Sequence, residues 1–345
     1  MALKLVANPP NPYESQYREF LGPPPPVKVE IYEEHAKSLV TENDSPDIPF
    51  RWSVNPYRGC QHACAYCYAR PYHEYLGMGA GTDFDTKLVA KINAAELLRK
   101  EVARPKLRGQ PICFSGVTDC YQPIEVTYKL TQECLRVCLE MGNAVSIITK
   151  SFLVMRDAQL LSQLDRAVGA TVYQSIPFAD DKLARLIEPQ APPPSKRFEA
   201  MRRLTDAGVP VGVMVAPIIP GLNDQEIPEV LRRAAESGAS SAGYVPLRLP
   251  GSVAAVFMER LKAVLPLRAQ RVESRIREMR DGQLNDSRFG NRMRGDGEYW
   301  RSIQGLFRLS VERFGLNSRR REKEADGPAM PAPRAATGQA TFDFA

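Results

Sequence analysis

From about residue 50 the chain alternates short apolar, β-rich runs with longer helical stretches. The runs at 51–54, 111–115, 144–148, 171–176, 211–215 and 241–245 are read as strands, with a further short one at 88–91. Helices are expected at 94–100, where Asn93 stands at the N-cap, and at 125–141, 156–164, 195–207 and 224–236. Gly142, Gly208 and Gly238 follow three of these and end them. Strands and helices in this alternation predict a mainly parallel sheet. Six βα units in this order predict the α/β class and an open, partial (β/α)6 TIM-like barrel.

The flanks break the pattern. Pro9-Pro10, Pro12 and the run Pro23–Pro26 cannot continue a helix or sit inside a sheet. Residues 1–45 are therefore expected to be an irregular Pro-rich extension that lies over the domain. The core is expected over 46–285, with a basic segment over 286–315 packing on it. From 316 onward Arg319-Arg320-Arg321-Glu322-Lys323-Glu324 leads into an Ala/Pro/Gly-rich tail that is expected to be disordered.

Composition adds limits. Hydrophobic residues make up 43% and charged residues 25%, an ordinary globular balance. No apolar run approaches about 18 residues, so no membrane helix is expected. The N-terminus lacks a long apolar segment and does not read as a signal peptide. Seven cysteines, an odd number without a secretion signal, suit reduced thiols in a cytoplasm. The net charge of +6 permits a nucleic-acid partner without demanding one.

The densest chemistry lies in Cys60-Gln61-His62-Ala63-Cys64-Ala65-Tyr66-Cys67. Thiolates are soft ligands that suit iron–sulfur clusters or zinc. Closed zinc sites and simple clusters usually take four protein ligands, and this turn offers three. Either a fourth ligand comes from His62 or a remote thiol, as in a zinc knuckle, or one metal position stays open. No second CxxC or HxxxH pair exists to close a zinc site. Parallel barrels carry their chemistry at the C-terminal ends of the strands. That rule gathers Cys60–Cys67, Ser115–Asp119, Thr149-Lys150-Ser151, Gln174-Ser175 and Ala216-Pro217 at one mouth.

The cysteine spacing, with an aromatic residue before the last thiol, resembles the cluster loop of the radical S-adenosylmethionine (radical SAM) superfamily. Asn55-Pro56-Tyr57-Arg58-Gly59, Thr118-Asp119, Thr149-Lys150 and Glu188-Pro189 make the chain look most like the spore photoproduct lyase group, or DNA repair photolyase-like proteins, over roughly residues 50–250. The resemblance implies that Cys60, Cys64 and Cys67 ligate a [4Fe–4S] cluster. It implies that S-adenosylmethionine chelates the fourth iron and is cleaved to a 5′-deoxyadenosyl radical, with an electron donor such as flavodoxin or ferredoxin. Tyr66 would then pack beside the adenine. Ser115, Gly116, Thr118 and Asp119 would receive the methionine amino group. Lys150 would meet the carboxylate, Ser175 the ribose, and Ala216 with Pro217 would close the adenine pocket.

The chain departs from that group at one place. The lyase has a hydrogen-donating cysteine just before its Thr-Ser-Asp segment, whereas Ser115-Gly116-Val117-Thr118-Asp119 has none. Cys113 is read as core. Cys120, placed at the predicted mouth, and Tyr68, which matches a lyase tyrosine of the hydrogen relay, are the candidate catalytic residues. Cys134 and Cys138 fall on the apolar face of a helix. Arginines and glycines around Phe289 in Ser287–Gly295 suit phosphates of a nucleic acid. Gln339, Phe342 and Phe344 resemble a short peptide that docks on a bacterial sliding clamp. Two other readings stand beside the repair-lyase one. They are radical modification of protein or RNA, and a non-catalytic metal-binding module that recognises nucleic acid.

Overall fold

The structure is a computed structural model and describes residues 28–318. The Pro9–Pro26 prolines and the tail with Gln339 and Phe342 lie outside those residues. The strands in chain order are β1 Glu30–Glu34, β2 Val40–Glu42, β3 Trp52–Val54, β4 Tyr57–Arg58, β5 Lys87–Lys91, β6 Ile112–Phe114, β7 Val145–Thr149, β8 Ala170–Ser175, β9 Val211–Ile218 and β10 Ser241–Pro246. Seven of them form one sheet in the order β10-β9-β8-β7-β6-β3-β2. From β3 to β10 every neighbouring pair is parallel, and only β2 runs antiparallel, against β3. No ladder joins β3 to β10, so the barrel is partial, as the alternation implied.

Strand parity explains the two apolar layers. Ile112 and Phe114, Val145 and Ile147, Val172, and Val211, Val213 and Val215 enter the large core between sheet and helices. Their neighbours point into the concave side. There Cys113, Tyr173 and Met214 form a small cluster, with Phe50, Ile148, Ala216 and Val245 packed on it. Gly212 is required on that face, because a Cβ would sit 2.6 Å from the Tyr173 ring.

Several regions differ from the sequence reading, among them the unexpected helix Asp181–Ile187. Residues 30–34 and 40–42 form strands although the extension to 45 was expected to be irregular. The β-rich run at 88–91 does not join the barrel; β5 pairs with β1 and β4 in a separate three-stranded sheet. The helix at 125–141 is broken into Glu125–Tyr128 and Leu130–Met141, because Lys129 takes a left-handed φ of 55°. Three helices follow the last strand, Val253–Val264, Pro266–Met279 and Glu298–Arg313. Trp300, Ile303, Phe307 and Val311 bury the last of them in the main core. Among the described residues no helix is long and apolar enough to cross a membrane.

Candidate active site

The loop after β3 carries the three cysteines, and it is tied down along its length. Asn55 donates to the Thr118 carbonyl at 2.9 Å and accepts from the Tyr57 amide at 3.1 Å. The Thr118 hydroxyl lies 3.0 Å from Asn55 Oδ1 and 3.1 Å from the Tyr57 carbonyl. Gly59 has a φ of +71°, and a Cβ there would approach the Lys87 carbonyl oxygen to 2.9 Å. Glycine therefore lets the loop lie directly on β5. The buried Gln122 donates to the Gly59 carbonyl at 2.9 Å and accepts from the Gln61 amide at 3.1 Å. Arg70, wholly buried, donates to the carbonyls of Cys64, Ala80 and Gly81 and to Asp85, each at 2.8 Å. Arg260, from the helix Val253–Val264, donates to the Ala63 carbonyl. Such buried donors satisfy carbonyls that the irregular turn leaves open.

Cys60 and Cys64 are buried, Cys67 is half-buried, and all three are free thiols. Burial pushes each thiol's pKa up, Cys64 to about 12. For Cys60 the Asp119 charge and the other two thiols add to that rise. Thiols grouped in this way become thiolates readily only when a cation shares the site. Among the described residues no three His, Cys, Asp or Glu side chains converge on a single ion. A cluster instead takes its thiolates on separate irons. Three thiols in one fixed loop, two buried and one half-buried, thus fit a [4Fe–4S] cluster with one iron left to a non-protein ligand.

Thr118 and Asp119, expected to receive the methionine amino group, are both bonded within the chain. Thr118 belongs to the Asn55 knot described above. Asp119 Oδ1 accepts from the Thr149 hydroxyl at 2.7 Å and the Tyr121 amide at 2.9 Å. Its Oδ2 accepts from the Lys150 amide at 2.7 Å and lies 3.3 Å from His62 Nδ1. Burial alone would raise the Asp119 pKa, but His62 and these donors bring it down to about 2. The carboxylate is a bolt between the cysteine loop and the end of β7. Ser115, at a φ of 82°, accepts from the Cys120 amide at 2.9 Å. Gly116 stays half-buried, and its carbonyl accepts from the Tyr68 hydroxyl at 2.7 Å.

A second polar group gathers at the ends of β7, β8 and β9. Lys150 Nζ donates to Ser175 Oγ at 3.0 Å, lies 5.6 Å from the centre of the Tyr66 ring, and stands 4.0 Å from Glu188 Oε1. Ser175 in turn donates to the Ala216 carbonyl at 3.0 Å. Tyr66 donates its hydroxyl to Glu188, whose other oxygen pairs with Arg197. Both charges of that pair are fully buried. Burial would raise the Glu188 pKa, yet Arg197 and Lys150 hold it below the usual carboxylate range. Tyr66, Lys150, Ser175 and Ala216 are therefore brought together as expected. Glu188 was visible only as part of a Glu-Pro pair, and Arg197, inside the helix Pro194–Asp206, gave no signal at all.

The two proposed catalytic residues separate. Tyr68 remains on the mouth, with its ring 39% exposed. Cys120 does not: it is wholly buried in the main core beside Phe114 and Tyr121, and its carbonyl accepts from the Thr131 hydroxyl at 2.6 Å. The chain turns inward after Asp119 because the carboxylate captures the Tyr121 amide. Cys113 is core too, but in the concave cluster inside the barrel rather than under the helices.

An open parallel barrel with a three-thiol loop at its mouth defines a class of cluster-bearing α/β enzymes. Residues 54–234, just over half of the chain, match the radical SAM superfamily, and the chain belongs to that family. The superfamily uses a [4Fe–4S] cluster and S-adenosylmethionine. An uncharacterized protein of Mycobacterium tuberculosis is 39% identical over 213 residues, covering 61% of this chain and 63% of that protein. One from Methanocaldococcus jannaschii is 33% identical over 200 residues, covering 58% of this chain and 71% of its own length. The matched part thus spans under two thirds of the mycobacterial relative. Among solved structures, spore photoproduct lyase complexed with dinucleoside spore photoproduct superposes with a TM-score of 0.58 at 15% identity, covering 83% of this chain and 80% of that one. At that identity the likeness is one of fold.

Proposed function

We propose that the chain is a radical SAM enzyme whose substrate is nucleic acid, in a lyase-like repair reaction. Cys60, Cys64 and Cys67 hold the cluster. The observation that carries this reading is the trio of thiols, two of them buried, beside a polar rim at successive strand ends. A metal module that only recognised nucleic acid would have no use for that rim. When bound, the cluster and cosubstrate supply reductive cleavage to a 5′-deoxyadenosyl radical that takes hydrogen from a substrate carbon. The chain's own residues position the cosubstrate. Lys150 is placed to meet a carboxylate, Ser175 and the Ala216 carbonyl line the same corner, and the Tyr66 ring offers a face to a purine. Glu188 and Arg197 fix the Tyr66 ring through its hydroxyl. The nucleic-acid substrate is favoured by the net charge of +6 and by the fold shared with an enzyme that binds a dinucleoside photoproduct. A flavodoxin or ferredoxin would deliver the electron.

The test is anaerobic. The protein is reconstituted with iron and sulfide, reduced with dithionite and given S-adenosylmethionine, and 5′-deoxyadenosine is measured by mass spectrometry. Wild type should form it and Cys64→Ala should not. A folded wild-type protein that takes up zinc and forms no deoxyadenosine would replace the enzyme reading with the metal-module one.

A further inference from the structure

Arg248 follows β10 directly and stands at the same mouth as Tyr68, with its guanidinium 5.7 Å from the centre of the Tyr68 ring. The contact joins the last strand of the sheet to the loop of the first parallel strand, across the side the barrel leaves open. Among the described residues Arg248 has no carboxylate within ion-pair distance. Its hydrogen bond is to the Met293 sulfur at 3.5 Å, a weak acceptor, and its buried Nε has no partner. A half-buried guanidinium with so little compensation is costly unless an anion completes it.

Two further arginines stand close by. Arg280 donates to the carbonyls of Leu247, Asn291, Arg292 and Arg294, which binds the segment after residue 287 against the end of β10. Burial and then the Arg292 charge lower the proton affinity of Arg248, while Tyr68, Tyr72 and Asp47 act the other way. Arg292 itself is bonded to Asp47 at 2.8 Å and lies over the Phe289 ring at 4.4 Å. Around these arginines the aromatics are exposed, Tyr72 by 53% and Phe289 by 62%. An arginine without an anion near exposed aromatic side chains is an arrangement that can bind single strands, with phosphate on the cation and bases on the rings.

We propose that Arg248 anchors a phosphodiester of a single-stranded or unstacked nucleic acid, with Tyr72 and Phe289 as stacking faces beside the barrel mouth. This rests on the proposed nucleic-acid substrate and names the surface that would hold it. Phosphate contacts of this kind position the strand rather than read its sequence.

The experiment measures binding of a fluorescein-labelled single-stranded oligothymidylate by anisotropy, across a salt series, for wild type, Arg248→Gln, Arg248→Lys and Arg301→Gln. Arg301 is exposed and paired with Asp296, so its variant should bind as wild type does. Arg248→Gln should weaken binding roughly tenfold and reduce the salt slope by about one. Arg248→Lys should keep the slope while losing part of the affinity, since it keeps the charge without the fork. It also answers for folding, together with thermal melts of each variant. The proposal is overturned if wild type does not bind, or if Arg248→Gln binds as wild type does. It is also overturned if Arg248→Gln loses S-adenosylmethionine binding to the same degree, which would assign the arginine to the cosubstrate. Arg248-dependent binding by a wild-type protein that forms no deoxyadenosine would sustain this inference while the radical reading failed.

Discussion

Glu188 joins three side chains that no local sequence pattern connects. It holds the Tyr66 hydroxyl, pairs with the buried Arg197 and faces Lys150. Removing one member of a buried pair leaves the other charged and unpaired, which costs roughly 3–5 kcal/mol. Glu188→Ala should therefore lower the unfolding free energy from urea titration by that much, and adding Arg197→Met should restore part of the loss. Because folding lowers the Glu188 pKa, its contribution is complete above the ordinary glutamate pKa of about 4.3 and is lost as pH falls below it. The wild-type advantage over Glu188→Gln should shrink in acid accordingly, and an unchanged gap would contradict the pairing. At this scale the sequence was legible where chemistry is unusual, as in the three thiols. It was not legible where common residues acquire a role from burial. Cys120 read as a mouth residue because strand ends count along the chain, whereas the Asp119 bolt turns the next residue into the core.

The strands of the barrel were readable because they are short apolar runs, packed on one side against the helices and several on the other against the interior cluster. Strands β1 and β2 were not, because most of their side chains are exposed and no alternation marks them. The break at Lys129 had no glycine or asparagine to announce it. The helices after β10 complete the site. Val253, Phe257 and Leu261 pack in one cluster with Cys64, Ala65 and Tyr66. The helix Glu298–Arg313 is held chiefly by Trp300, which is 1% exposed. Trp300→Ala should cost roughly 3–5 kcal/mol of stability, measured by denaturant unfolding. A loss below about 1 kcal/mol would mean that this helix is not part of the core.

Across the whole molecule, the first parallel strand's loop depends on the last third of the chain. Arg260 reaches the Ala63 carbonyl across 197 positions, and Ile187 accepts from the Ala65 amide at 3.0 Å. The thiol loop takes its shape only when sheet and trailing helices are assembled. The proposed substrate surface is equally distributed, with Tyr68 from one end of the sheet meeting Arg248 from the other. The most direct test of the account is the state of the metal itself. Anaerobically reconstituted wild-type protein should hold about four irons and four sulfides per chain. Its reduced form should give an electron paramagnetic resonance signal that changes when S-adenosylmethionine is added, and Cys60→Ala, Cys64→Ala and Cys67→Ala should each lose it. A protein that holds one zinc with no sulfide, or whose signal ignores S-adenosylmethionine, would contradict it.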